Sequence, residues 1–174
     1  MILLRRWSLL MTVASRSNTF SRVLAHMVSR NSWRPSPSTS LPAYGGTVRT
    51  KRAPDLLLPR EWALEVKLAR PFGDNGNEAE SWSVNLLHPY EGNVSLIGDC
   101  LKLQKLGGPE RKGAVVVGYE HSPPRIRLAP LLEAFELIAD RVVGIRLGSR
   151  VHVTRSGLCH PVHQQLLVAA WEVL

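Results

Sequence analysis

The sequence predicts an α/β domain, a mixed central sheet flanked by helices, with a helix and a β-hairpin at its C-terminal end. Three observations predict it. Short runs rich in branched and aromatic residues, such as Trp62–Ala69 and the valines at 115–117, have the length and content of strands. Other stretches, above all 130–143, carry apolar residues three and four apart, the period of a helix with one buried face. The two kinds alternate along the chain, as they do where helices pack on a sheet.

In chain order, residues 19–32 fit an amphipathic helix, with Phe20, Val23, Leu24, Met27 and Val28 on one side. Residues 33–46 are rich in Ser, Pro and Gly and read as an irregular linker. A first strand is expected at 47–52. Leu56-Leu57-Leu58 and Trp62–Ala69 follow as two strands joined by the break Pro59-Arg60-Glu61. Residues 70–77 form a loop by composition. A helix is expected over 93–106, capped by Asn93 or Ser95 and stopped by Gly107-Gly108-Pro109. A buried strand at 113–119 comes next, then a helix over 130–143 that opens with Pro130, a residue suited to a first helical turn. Strands at 150–154 and Gln165–Val173 close the chain. The organisation is thus a basic, acid-free extension over 1–46 and a single α/β domain over 47–174.

The chemistry concentrates in one place. Pro54-Asp55 is followed, after nine intervening residues, by Glu65-Val66-Lys67. On neighbouring strands of a hairpin Asp55 and Glu65 approach each other. Alternate residues of a strand share a face, so Glu65 and Lys67 point one way while Leu64, Val66 and Leu68 point the other. A carboxylate and an ammonium bounded by hydrophobes are costly to bury unless paired or bound to a metal. Two adjacent carboxylates suit a hard divalent cation. Such an ion activates water and neutralises charge on a phosphate being split.

This pattern, in this strand setting, resembles the signature of the PD-(D/E)XK nuclease superfamily, the fold of many restriction endonucleases. The resemblance covers roughly residues 19–120 and implies an α-β-β-β-α-β core with the motif on its second and third strands. It implies Asp55 and Glu65 as ligands of Mg²⁺, with Mn²⁺ as a substitute, and the backbone carbonyl of Val66 as a further ligand. It implies Lys67 as the catalytic lysine, orienting the attacking water or taking its proton, with Asp55 and Glu65 counted in the catalytic set. The substrate would be nucleic acid, DNA before RNA by family habit, and a homodimer is compatible with it. The loop after the motif strand would lie beside the site, so Arg70, Asp74 and Asn75 are candidate phosphate or nucleic-acid contacts. Lys102 joins them from the following helix. Its neighbour Asp99, three residues earlier, is expected to pair with it on the side opposite Leu96, Cys100 and Leu103, as an ordinary surface ion pair.

One departure stands. Many members of the family carry an acidic residue on the first helix, and 19–32 has none. The alternative reading is therefore a catalytically inactive module of the same fold that binds nucleic acid or a protein partner. Should Asp55 and Glu65 lie beyond joint reach of one cation, the resemblance lapses.

Charge sharpens the picture. The formal net charge is +8. Residues 1–52 hold nine Lys/Arg and no Asp or Glu, whereas 53–174 hold thirteen basic and fourteen acidic residues. The basic character belongs to the extension, so the domain would meet nucleic acid through local patches. An Arg- and Ser-bearing, acid-free N-terminus suits an organelle transit peptide, which would place the protein in a mitochondrion or plastid. A secretory signal fits less well, and an upstream extension with Met11 or Met27 as alternative starts fits a cytoplasmic prokaryotic protein.

Other residue types carry less. The two cysteines, Cys100 and Cys159, lack disulfide or zinc spacing and read as reduced core thiols. His88 and His121 are scattered; His160 and His163, three apart, suit joint metal ligation on a helix, but their segment reads as a loop entering a strand. Trp82 and Tyr90 are available to stack on bases, with core filling the commoner use. No run approaches the roughly 18 apolar residues of a membrane helix, so a membrane is not an expected partner.

Overall fold

The computed structural model describes residues 48–49, 53–90 and 94–174. The amphipathic helix expected at 19–32, the linker at 33–46 and the rest of the basic extension lie outside the described residues.

Among the described residues six strands form one mixed sheet, in the order β1-β2-β3-β4-β6-β5. The first three, β1 (Val48–Arg49), β2 (Leu56–Leu58) and β3 (Trp62–Ala69), run as an antiparallel meander. The chain then passes through two helices, α1 (Val84–Leu87) and α2 (Leu96–Lys105), and returns as β4 (Arg111–Glu120) parallel to β3. Helix α3 (Ala129–Ile138) continues through a wider π-helical turn, Ala139–Val143, and stops at Gly144, whose φ of 76° is the left-handed value common after a helix. Strands β5 (Val151–Ser156) and β6 (Gln165–Val173) form an antiparallel pair.

The expected strand bounds hold closely for β3 and β6. Helix α2 begins where one of its two expected caps allows: Ser95 Oγ accepts from the Gly98 N–H at 3.0 Å. Helix α1 was not expected, being a single turn with only Leu86 fully buried. The C-terminal hairpin differs from an appendage. β6 pairs with β4 from Lys112↔Val173 to Glu120↔Gln165, so the last segment of the chain completes the central sheet.

The described helices cover one face of the sheet. Ala63 and Ala69 of β3, Ala114 and Val116 of β4, and Ala169, Trp171 and Val173 of β6 pack with Leu86, Leu96, Ile97, Cys100, Leu103, Leu132 and Phe135. The rings of Phe135 and Trp171 meet at 4.9 Å. Small residues on the strands let the helices approach closely. Glu65 and Lys67 have the parity of Ala63 and Ala69, so they enter this helix-covered face among apolar neighbours. The expected alternation of Glu65 and Lys67 against Leu64, Val66 and Leu68 is the one observed. Of the two cysteines, Cys100 is buried as expected, but Cys159 is exposed. No helix among the described residues is long and apolar enough to cross a membrane.

Candidate metal centre

The hairpin between β2 and β3 sets the register of the site. Pro59 and Arg60 occupy the middle of a tight turn closed by the Glu61 N–H on the Leu58 carbonyl at 3.0 Å. Pro fixes φ at the first of these positions, and Arg60 adopts the left-handed φ of 66° that the second requires. The turn is held from outside by Glu110, whose Oε1 accepts from the Arg60 N–H at 2.9 Å. The resulting ladder pairs Leu58 with Trp62, Leu57 with Ala63 and Leu56 with Leu64. One step beyond its last pair, Asp55 falls opposite Glu65. There the ladder gives way to a side chain: Asp55 Oδ2 accepts the Val66 N–H at 2.9 Å.

The two carboxyl groups lie within hydrogen-bonding reach of each other. Asp55 is exposed, while Glu65 retains only 5% of its accessible surface. Burial, reinforced by Asp55 and Asp99 and partly offset by Lys67, pushes the Glu65 carboxyl up to about 8. At neutral pH and without a cation it therefore holds a proton. A third carboxylate, Asp99 of α2, is 3% exposed. Its Oδ1 accepts from Lys102 Nζ at 2.8 Å, and Lys67 Nζ stands 2.6 Å from Oδ2. That second contact is an ion pair outside hydrogen-bond angles, so Oδ2 is buried without a hydrogen bond. Asp99 first, then Glu65 and Asp55, hold the Lys102 ammonium above its ordinary range. The cluster thus joins three carboxyls and two ammoniums from β3, α2 and the residue preceding β2. Cys100 next to it is an inert thiol, its ionisation suppressed by burial and by Asp99 and Glu65.

Of the residues expected in the site, Asp55, Glu65, Lys67 and Lys102 come together, with Val66 between Glu65 and Lys67 and its N–H committed to Asp55. Arg70, Asp74 and Asn75 make local contacts in the next loop. Arg70 Nη1 pairs with Asp74 Oδ1 at 3.1 Å, and Asn75 Oδ1 accepts the Asn77 N–H at 3.0 Å, folding its own turn. Asp99 is the residue the sequence reading misplaced. It lies three positions after Leu96 and four before Leu103, on the same helical face as those buried leucines. A charge inside an apolar stripe signals a buried partner, and that signal was in the spacing.

A second cluster brings Asp74, His160 and His163 within 4.8 Å of one another by their potential ligand atoms. Its hydrogen bonds oppose a metal. His160 Nδ1 accepts the N–H groups of Val162 at 3.2 Å and His163 at 3.0 Å. A neutral imidazole whose Nδ1 accepts carries its proton on Nε2, leaving no lone pair for an ion. His163 Nε2 bonds Asp74 Oδ1 at 2.9 Å, and this bond first, with Arg70 adding, holds the exposed Asp74 carboxyl below its usual range. The rings of His160 and His163 stack at 4.6 Å.

No family model, no curated protein and no solved structure matches this chain.

Proposed function

We propose that this chain is a divalent-metal-dependent nuclease of the PD-(D/E)XK type, hydrolysing phosphodiester bonds of nucleic acid, DNA before RNA. The single observation that carries the reading is the juxtaposition at the hairpin: Asp55 opposite Glu65, with Lys67 on the same strand face as Glu65. The order β-β-β-α-α-β, with β4 parallel to β3 and α1 a single added turn, is compatible with the core that the resemblance implies.

The donor set fits a hard cation. Two carboxyls within reach of each other, one of them holding a proton because burial first and the neighbouring carboxylates second make its charge costly, match an ion that takes oxygen ligands. Asp55 and Glu65 would hold Mg²⁺ or Mn²⁺, and the Val66 carbonyl is the further ligand proposed. When bound, the ion supplies Lewis-acid activation of water and offsets charge on the phosphate. The chain's own residues do the rest. Lys67, an ammonium paired with a carboxylate, donates a hydrogen bond to the attacking water and orients it. Lys102 faces the same carboxyls and adds positive charge for a phosphate oxygen. Glu65, walled by apolar side chains, keeps bulk water from its side of the site.

Cleavage of supercoiled plasmid and of oligonucleotides with Mg²⁺ or Mn²⁺ tests the reading. Wild type is expected to cut and Lys67→Ala to lose most of that activity; equal background cleavage by the two ends the enzyme claim. The second reading, a module that binds without cleaving, draws on the net charge of −1 over 53–174 and the acid-free segment 19–32. Its signature is nucleic-acid binding unchanged by Asp55→Ala and without metal-dependent cleavage.

A further inference from the structure

We infer that Asp99 is a positioning residue of this site, which acts by holding the Lys67 ammonium in place for the attacking water while it anchors Lys102 beside it. The inference rests on the hydrolytic reading above.

Asp99 has the properties of a support rather than of a surface charge. It stands on α2, a helix fixed by the Ser95 cap and by Leu96, Ile97, Cys100 and Leu103, none of which has any accessible surface. Its carboxylate is itself buried, and each oxygen faces one ammonium, Oδ2 to Lys67 at 2.6 Å and Oδ1 to Lys102 at 2.8 Å. Both lysines keep an open side, with 20% and 40% of their side-chain surface accessible. Their ammonium groups are thus held on a buried carboxylate while part of each side chain stays accessible.

Buried ion clusters contribute little net stability compared with apolar residues of the same volume. What this one supplies is geometry. A lysine side chain loses considerable rotamer freedom when ordered. Asp99 imposes that ordering when the protein folds, so it is not required again when substrate binds, and a preset donor is what an oriented reaction needs. Two features make Lys67 the object of this support. Asp99 Oδ2 engages at most one of the three N–H donors of the Lys67 ammonium, which leaves the others for a water. Lys67 also shares its strand face with Glu65, one residue removed, whereas Lys102 reaches the carboxyl pair from α2.

A double-substitution cycle tests the assignment on full-length protein: wild type, Lys67→Ala, Asp99→Asn and the pair together. Each is assayed for kcat and KM on a fluorescent duplex with Mn²⁺, and for Mn²⁺ stoichiometry by titration. Asp99→Asn is expected to lower kcat about tenfold or more, within the range that a positioned proton-transfer or water-orienting group contributes. KM should hold within about twofold and one Mn²⁺ should still bind. In the Lys67→Ala background Asp99→Asn should cost far less than in wild type, the remainder being what is lost through Lys102. Multiplicative losses in the pair, or a loss confined to KM, overturn the inference. Loss of Mn²⁺ binding in Asp99→Asn also overturns it, because Asp99 would then be a ligand. If Asp99→Asn shows no cooperative unfolding transition, Asp99→Asn/Lys102→Met, which removes the cation left without its counter-charge, takes its place, compared throughout with Lys102→Met alone and with the same expected differences. Wild type that cleaves nothing with either metal overturns the hydrolytic reading and this inference with it. Wild type that cleaves, with multiplicative losses, overturns this inference alone.

Discussion

The two polar clusters of this domain use similar residue types to opposite effect. Asp74, His160 and His163 sit in loops, where His160 Nδ1 and His163 Nε2 already have partners and the Asp74 carboxyl is stabilised as an anion. Asp55, Glu65 and Asp99 crowd one edge of the helix-covered face, where burial and mutual repulsion keep a proton on Glu65 that an exposed carboxyl would lose. The first cluster commits its ligand atoms to neighbouring hydrogen bonds. The second gathers a protonated carboxyl, two carboxylates and two ammoniums. Proximity of ligand atoms alone points to the histidines; the state of their hydrogen bonds is the reason for proposing the carboxylates instead.

Four outcomes would break or sharpen that contrast. The largest concerns Lys67, whose replacement by Ala is expected to reduce metal-dependent cleavage by about 10²–10⁴-fold, the usual reach of a positioned proton-handling group. His160→Ala in the same assay should leave the rate within about twofold, and a comparable loss there would make the loop cluster the functional one.

The second concerns metal affinity. An ion at Asp55 and Glu65 must displace the Glu65 proton, so Mn²⁺ binding should weaken by about tenfold per pH unit below about 8. Titration at pH 8 and pH 6 checks this. Affinity independent of pH over that range would place the ion elsewhere.

The third is stability without metal. The Glu65 carboxyl is raised from 4.5 to about 8 on folding, so between those values the folded chain holds a proton that the unfolded chain has lost. This stabilisation is complete below pH 4.5 and falls by about 1.4 kcal/mol per pH unit as pH rises toward 8. The lowered carboxyls Asp74 and Glu172 act in the opposite sense, and only on the acid side of that window. Urea unfolding across pH 5–8 should show the decline in wild type and a flatter profile in Glu65→Gln; parallel profiles would mean that Glu65 is ionised in the metal-free fold.

The smallest effect is on the loop cluster itself. His160→Ala removes the acceptor for two backbone N–H groups and should cost about 1 kcal/mol in urea unfolding. A cost that grows on adding Zn²⁺, because wild type is stabilised and His160→Ala is not, would restore the metal reading of the histidines.

The pattern of strands was legible where local chemistry decides it. Trp62–Ala69 and Gln165–Val173 declare themselves through branched and aromatic content, and Ser95 through capping chemistry. The pairing of Asp55 with Glu65 was legible because Pro59-Arg60-Glu61 leaves room for little except a tight turn. Helix α1 escaped notice, since one turn carries too few residues to show a period. The integration of β6 beside β4 is a contact between distant segments that no local pattern encodes. Asp99 was missed for a different reason. Its charge and its i,i+3 spacing to Lys102 suggested a solvated pair, yet its position between Leu96 and Leu103 placed it inside, and the inward-facing Lys67 of β3 supplied the partner that made burial tolerable. Arg70, Asp74 and Asn75 follow the motif strand directly, but their loop closes on itself and on His163.

The central claim is that one divalent ion is held by Asp55 and Glu65. Mn²⁺ titration at pH 8, followed by electron paramagnetic resonance, tests it most directly. The account predicts one ion per chain in wild type and in His160→Ala, and none in Asp55→Ala or Glu65→Gln. Binding that survives both carboxylate substitutions and disappears with His160 would contradict it.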